Sequence, residues 1–327
     1  MPDDRIRLVL DRPDDAHHAA ALLAAGLPVA HGFGGIYALT ARGDAVRRLN
    51  ALKGRPLGQT GSVTAPTGRV LDAFDLAALP AAVPPALVRE LVDAFGALGP
   101  FGFRGPAAAH VPAGLTAPDR GTTTTQVIVP GDACPSQVFL AAADAAVGGA
   151  PLVITSANRS HHVTGAPDAP AHWRGDGLRA ELGGRDGSGL VLLEHTDDAA
   201  ARARFPRHLP VSTTILALHR AERSHGRVHL VLERHGSLHA DDVAAVLRGL
   251  GLGLVLGPRA ATRLAPRVYD DVRAPRPSAA ALAPAPAALA SAPAASVGAP
   301  GASVGAPATV GQSRSAAVRQ GRAAAAR

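Results

Sequence analysis

Apolar residues along this chain follow two rhythms that take turns: short runs of consecutive or alternating positions, and longer stretches that repeat every three to four residues. "IRLVL" (6–10) predicts a strand, and "DDAHHAAALLAAG" (14–26) a helix with Asp14 and Asp15 in its first turn. "GGIYALTA" (34–41) predicts another strand. In "GDAVRRLNALKG" (43–54) apolar residues recur at 45, 46, 49 and 52, and Gly54 and Pro56 act as stop signals, so Lys53 falls on the last turn of a helix. Helices follow at 86–97 and 135–148, with a threonine-rich strand at 122–130. The strand at 151–158 is apolar until it runs into the polar turn "TSAN". Strands at 212–219 and 227–236 precede a helix at 240–249 opened by Asp241 and Asp242. This mixture predicts an α/β sheet covered by helices rather than a bundle or a sandwich.

Two stretches break the pattern. Residues 160–210 are crowded with glycine, proline and charge and read as an inserted, partly irregular excursion. From about residue 275 the chain turns to alanine, proline and glycine, with SVGAP occurring twice and almost no bulky side chain. Such a segment buries too little apolar surface to offset its ordering entropy. The expected organisation is one domain over 1–274 and a disordered tail over 275–327.

Composition changes this picture in three places. With 327 residues and 47% hydrophobic content the chain can build a sizeable core. The net charge of +7 overstates the domain, because the tail holds five arginines and no acid; the remainder is close to neutral and carries no strong nucleic-acid signature. Cys134 is the single cysteine, which excludes an intramolecular disulfide and a cysteine zinc cluster. The start of the chain lacks a secretory apolar segment and no run of 18 apolar residues occurs, so the expectation is a cytoplasmic protein without a membrane partner.

Candidate chemistry begins with Lys53, the one lysine among 33 basic residues, followed two positions later by Arg55. An ammonium and a forked guanidinium suit a polyphosphate; they equally complement the negative end of a helix dipole. Thr155, Ser156 and Asn158 close an apolar strand at its carboxyl end, where open α/β sheets bind ligands, although an ordinary side-chain-bonded turn has the same composition. Ser212 and Thr213 open a strand, and Arg234 precedes a glycine turn. His161, His162 and His172 lack metal-ligand spacing, and neither a P-loop nor a dinucleotide fingerprint is present.

The order of these signals carries more than any one of them. Tyr37-x-Leu39, Lys53-x-Arg55-Pro56, Val127-x-Val129-Pro130, Ser156-Ala157-Asn158, Ser212-Thr213 and Arg234-x-Gly236 together resemble the YrdC-like family of threonylcarbamoyl-adenylate synthases. The resemblance implies a twisted open mixed sheet with helices around a large concave cleft. It implies an enzyme that makes threonylcarbamoyl-AMP and pyrophosphate from ATP, bicarbonate and L-threonine for tRNA modification, with magnesium accompanying ATP and no tightly bound cofactor. Lys53 and Arg55 would be catalytic and lie by the phosphates; Thr155, Ser156, Asn158, Ser212, Thr213 and Arg234 would hold the nucleotide, and Tyr37 would face the substrate.

Two departures qualify the resemblance. Where the family reads P-T-[DE]-T-x-Y-G-L, this chain has Gly32-Phe33-Gly34-Gly35-Ile36-Tyr37-Ala38-Leu39, without the polar residues of the threonine side. Where the family has the arginine of V-R-x-P, this chain has Ile128, and Arg104 in "GPFGFRGP" is a candidate replacement on the substrate side. These departures leave two alternatives: a protein that binds nucleotide or double-stranded RNA without synthase activity, or an enzyme that carbamoylates another amine.

Overall fold

Runs of β-branched and aromatic residues too short for helices pair side by side into one twelve-stranded sheet. The computed structural model describes residues 8–160, 170–183, 189–224 and 226–269. Its strands are β1 (Leu8–Val9), β2 (Val29–Phe33), β3 (Ile36–Arg42), β4 (Ser62–Thr64), β5 (Phe101–Pro106), β6 (Thr116–Asp119), β7 (Thr122–Val129), β8 (Leu152–Ser156), β9 (Val191–Glu194), β10 (Ile215–Ser224), β11 (Arg227–Arg234) and β12 (Gly253–Leu256). Their order in the sheet is β1-β9-β2-β3-β8-β4-β7-β5-β10-β11-β12, with β6 alongside β7. Parallel and antiparallel pairs are mixed, as the family resemblance implies.

Helices cover both faces. On one, α2 (Val46–Lys53), α3 (Pro85–Gly96) and α7 (Ala240–Gly249) bury Leu49, Leu91, Phe95, Val243 and Leu247 against Val63, Phe103, Val127 and Leu216. Phe95 stacks on Phe101 with ring centroids 4.0 Å apart, and each such ring contributes about 1.5–3 kcal/mol by leaving water. On the other face, α1 (Pro13–Ala24) and α4 (Ser136–Ala146) enclose Ile128, Ile154 and Ile215. Alanines at 16, 19 and 20 let α1 lie close. The short helices α5 (Gly175–Leu178) and α6 (Asp198–Ala203) flank β9.

The predicted helix over 240–249 is observed, and the other helices differ from expectation by a few residues at their ends. β2, β4, β5, β6, β9 and β12 were not legible as periodic runs. β5 shows why: in "FGFRGP" glycines alternate with the phenylalanines, because a Cβ on Gly102 would stand 2.9 Å from both Ile128 and Ile215. The 160–210 stretch, expected as an irregular excursion, supplies β9, which lies in the sheet between β1 and β2. Only four residues long and set among charges, it leaves a weak pattern. The tail over 275–327 and His161 and His162 lie outside the described residues.

Strand twist positions the site. β8 and β10 are four steps apart in the sheet, and at about 20–25° per step the sheet turns through roughly 100° between them. Diagonally opposite corners of such a sheet curl toward the same side. The carboxyl end of β8 and the amino end of β10 are diagonal corners of this kind.

Candidate functional site

The end of α2 is built to hold its basic residues in place. Gly54 adopts a φ of +70°, the left-handed conformation that closes a helix, and Arg55 N–H returns to the Asn50 carbonyl at 2.8 Å. The Asn50 amide donates to the carbonyls of Leu57 (3.3 Å) and Gln59 (2.7 Å), fixing the following loop. Lys53 is fully buried. Its ammonium donates to the Ser156 carbonyl, to Asn158 Oδ1 at 3.1 Å and to Ser156 Oγ at 3.4 Å, while its own carbonyl accepts from Ser160 N–H at 2.9 Å. Lys53 therefore braces the helix end against the turn after β8. Arg55 Nη1 donates to Thr155 Oγ1 at 2.9 Å, and Ser156 Oγ donates to Asn158 Oδ1 at 2.6 Å.

The second half of the site is held by a glycine. A Cβ on Gly236 would stand 2.2 Å from the Ser212 carbonyl and 2.6 Å from that of Thr213, so only glycine lets the turn after β11 lie on the start of β10. That approach carries Arg234 to Thr213, where its Nε donates to the carbonyl at 2.7 Å and its Nη2 to Oγ1 at 3.0 Å. Ser212 receives Ser237 N–H on its carbonyl at 2.9 Å.

The two halves face each other. Burial, and then the charge of Arg55, push the Arg234 guanidinium down to about 10 from its ordinary 12.5. Arg234 stays protonated at neutral pH, yet two like charges and a desolvation cost are concentrated at one place. The structure thus brings Lys53, Arg55, Thr155, Ser156 and Asn158 into one cluster and sets Thr213 and Arg234, with Ser212 beside them, across from it.

Two expected residues lie elsewhere. Tyr37 is buried, donates its hydroxyl to Asp198 Oδ1 at 2.7 Å and accepts from His195 N–H at 3.2 Å; burial and Asp198 raise its pKa. It lines a separate cavity together with Trp173, His195 and Asp198, none of which the sequence singled out as a ligand group. Arg104 donates to Thr124 Oγ1 at 3.0 Å and pairs with Glu233 at 3.4 Å. Ile128, where the family arginine would stand, packs in the core under α1 and α4 and fills the notch left by Gly102. Cys134 is buried, with its thiol pKa raised by burial.

Metal-capable groups are sparse among the described residues. Asp119, His219 and Glu233 form one cluster, but arginines already serve it: Arg220 reaches Asp119 at 2.5 Å and Glu233 at 3.4 Å. Burial opposes ionisation of Asp119, yet Arg220 and His219 hold its pKa at about 2. Among the described residues, the contacts given for Lys53 and Arg234 are to carbonyl, hydroxyl and amide oxygens.

No protein-family model matches the chain, and a search of curated proteins finds no match either. Solved structures do match. A doubly substituted Sua5 of P. abyssi superposes with a TM-score of 0.54 at 18% identity, over 77% of this chain and 65% of that one. P. abyssi Sua5 in complex with L-threonine gives 0.52 at 17% identity, over 78% and 66%. The chain has the YrdC/Sua5-like fold. A Streptococcus mutans protein described as hypothetical gives 0.50 at 13% identity, over 73% and 94%. The chain therefore spans about two thirds of the length of the two Sua5 structures. In this Sua5-like frame the basic cluster occupies the ends of β8 and β10.

Proposed function

We propose that this protein is a nucleotide-dependent carbamoyl-adenylate synthase, which joins an amine, bicarbonate and ATP into an N-carbamoyl-AMP and releases pyrophosphate. The observation that carries the reading is that Arg55 and Arg234, each tied to a threonine in a Sua5-like sheet, lie near enough for the charge of Arg55 to lower the pKa of Arg234. L-threonine is the amine suggested by the Sua5 complex. Amine and bicarbonate condense to a carbamate with loss of water; a carbamate oxygen then attacks the α-phosphorus of ATP and pyrophosphate leaves. Arg55 and Arg234 stabilise charge on the phosphates and hold the reactants in line. Lys53 acts mainly by fixing the Ser156–Asn158 turn that would receive the nucleotide. A magnesium ion would be carried in on the ATP phosphates.

The hairpin between β2 and β3 favours a second reading in which the amine differs from threonine. Its glycines offer no polar side chain, and the Tyr37 hydroxyl is committed to Asp198. A nucleotide- or RNA-binding role without chemistry is the limiting form of this divergence. Pyrophosphate release from ATP and bicarbonate, with and without L-threonine, tests the proposal in wild type and Arg55→Ala. Threonine-dependent release that falls in the variant supports the first reading; ATP binding without threonine-dependent release supports the second. No ATP binding refutes both.

A further inference from the structure

A cavity of about 400 Å³ opens where β9 meets α6, within the size range of small-molecule sites. Its wall becomes acidic once internal pairs are set aside. Arg174 pairs with Asp176 at 2.5 Å, and Arg179 pairs with Glu194. Asp197 and Asp198 have no arginine partner among the described residues. Asp197 Oδ1 caps α6 by accepting from Ala199 and Ala200, and Asp198 accepts from the Tyr37 hydroxyl and Gly175 N–H.

His195 lines the same cavity, is 5% exposed, and among the described residues neither ring nitrogen meets full hydrogen-bond geometry, the Gly34 backbone being its nearest polar neighbour. A buried imidazole with two idle nitrogens is costly unless a ligand serves it. Burial lowers its proton affinity, so the ring stands neutral and does not repel a cation. Trp173 supplies the aromatic wall and already receives a cation, the Arg202 guanidinium at 4.2 Å from its ring centre. The ligand atoms here do not converge as a metal requires, whereas those of Asp119, His219 and Glu233 do.

We propose that this cavity binds a small aliphatic amine, its ammonium meeting Asp197 and Asp198, its body against Trp173, and His195 completing a hydrogen bond. The inference is independent of the nucleotide reading and its test uses no ATP. Trp173 is the chain's single tryptophan, so its emission reports on this cavity. The full chain is titrated with diaminobutane, butanediol and succinate, which share a four-carbon frame and differ in charge. A saturable change with diaminobutane alone is expected. Asp197→Asn keeps the helix cap through its remaining oxygen and is expected to weaken binding by up to about fivefold, as for an exposed charge contact. Asp198→Asn, less exposed, is expected to weaken it about tenfold or more. No saturable response to diaminobutane, an equal response to butanediol, a stronger one to succinate, or unchanged affinity in Asp197→Asn would overturn the proposal.

Discussion

Replacing Lys53 by alanine separates a brace from a phosphate ligand. The side chain is fully buried and its ammonium serves the Ser156 carbonyl and Asn158 Oδ1, with Ser156 Oγ at the edge of reach. Lys53→Ala removes two hydrogen bonds from a charged donor at about 1.5–3 kcal/mol each, in addition to the packing of the lost methylenes, while Ser156 Oγ and Asn158 N–H still serve the two acceptors. With partial relief from water entering the gap, the expected loss is about 3–5 kcal/mol of folding stability, a large share of the 5–15 kcal/mol typical of a domain. Arg55→Ala removes a partly exposed group whose bond to Thr155 water can replace, and the expected loss is smaller than that of Lys53→Ala. Denaturant unfolding of the ligand-free chain, followed by far-ultraviolet circular dichroism, reads both. If Lys53→Ala unfolds within about 0.5 kcal/mol of wild type, or if Arg55→Ala costs as much as Lys53→Ala, the brace is refuted.

Other consequences follow from the packing. Gly236→Ala drives a Cβ into the Ser212 and Thr213 backbone and is expected to lower stability by about 3 kcal/mol, seen as a drop in the thermal midpoint. A Cβ on Gly32 would stand 2.3–2.6 Å from the His195 ring, so Gly32→Ala is expected to destabilise the wild type and to be largely tolerated beside His195→Ala; additive effects in this double-mutant cycle would contradict the contact. His31 is buried, with Nδ1–H donating to the Gly32 carbonyl and Nε2 accepting from Thr40, and burial lowers its pKa from 6.5 to about 4. The folded imidazole resists a proton that the unfolded one takes, so its stabilising effect is full above pH 6.5 and is lost as pH falls toward 4. The loss at pH 5 is roughly 2 kcal/mol, and the gap between denaturant midpoints at pH 7 and 5 should narrow by that amount in His31→Gln, a remainder coming from His208, whose pKa burial also lowers to about 4.

Much of the site was legible in the sequence because its residues are scarce there. One lysine and two asparagines occur in the whole chain, and Lys53, Asn50 and Asn158 all work at the same helix end and turn. The direction in which Lys53 points was not legible. It depends on where the twisted sheet puts the Ser156 carbonyl, a distant property of strand order. Tyr37 was read as facing substrate from its place in a motif, but Asp198, 161 residues away in sequence, claims its hydroxyl. Ile128 and Gly102 explain one another only once β5 and β7 are paired. Glycine-rich β5 and short β9 escaped for a related reason, since their strand character comes from neighbours rather than from a run of their own.

The proposed synthase activity requires an anion held by Arg55 and Arg234 and consumed with an amine. Pyrophosphate release from ATP in the presence of bicarbonate, measured with and without L-threonine, tests this most directly. Release that requires threonine and falls about tenfold or more in Arg55→Ala is the expected result. Absence of both release and ATP binding in the wild-type chain would contradict it.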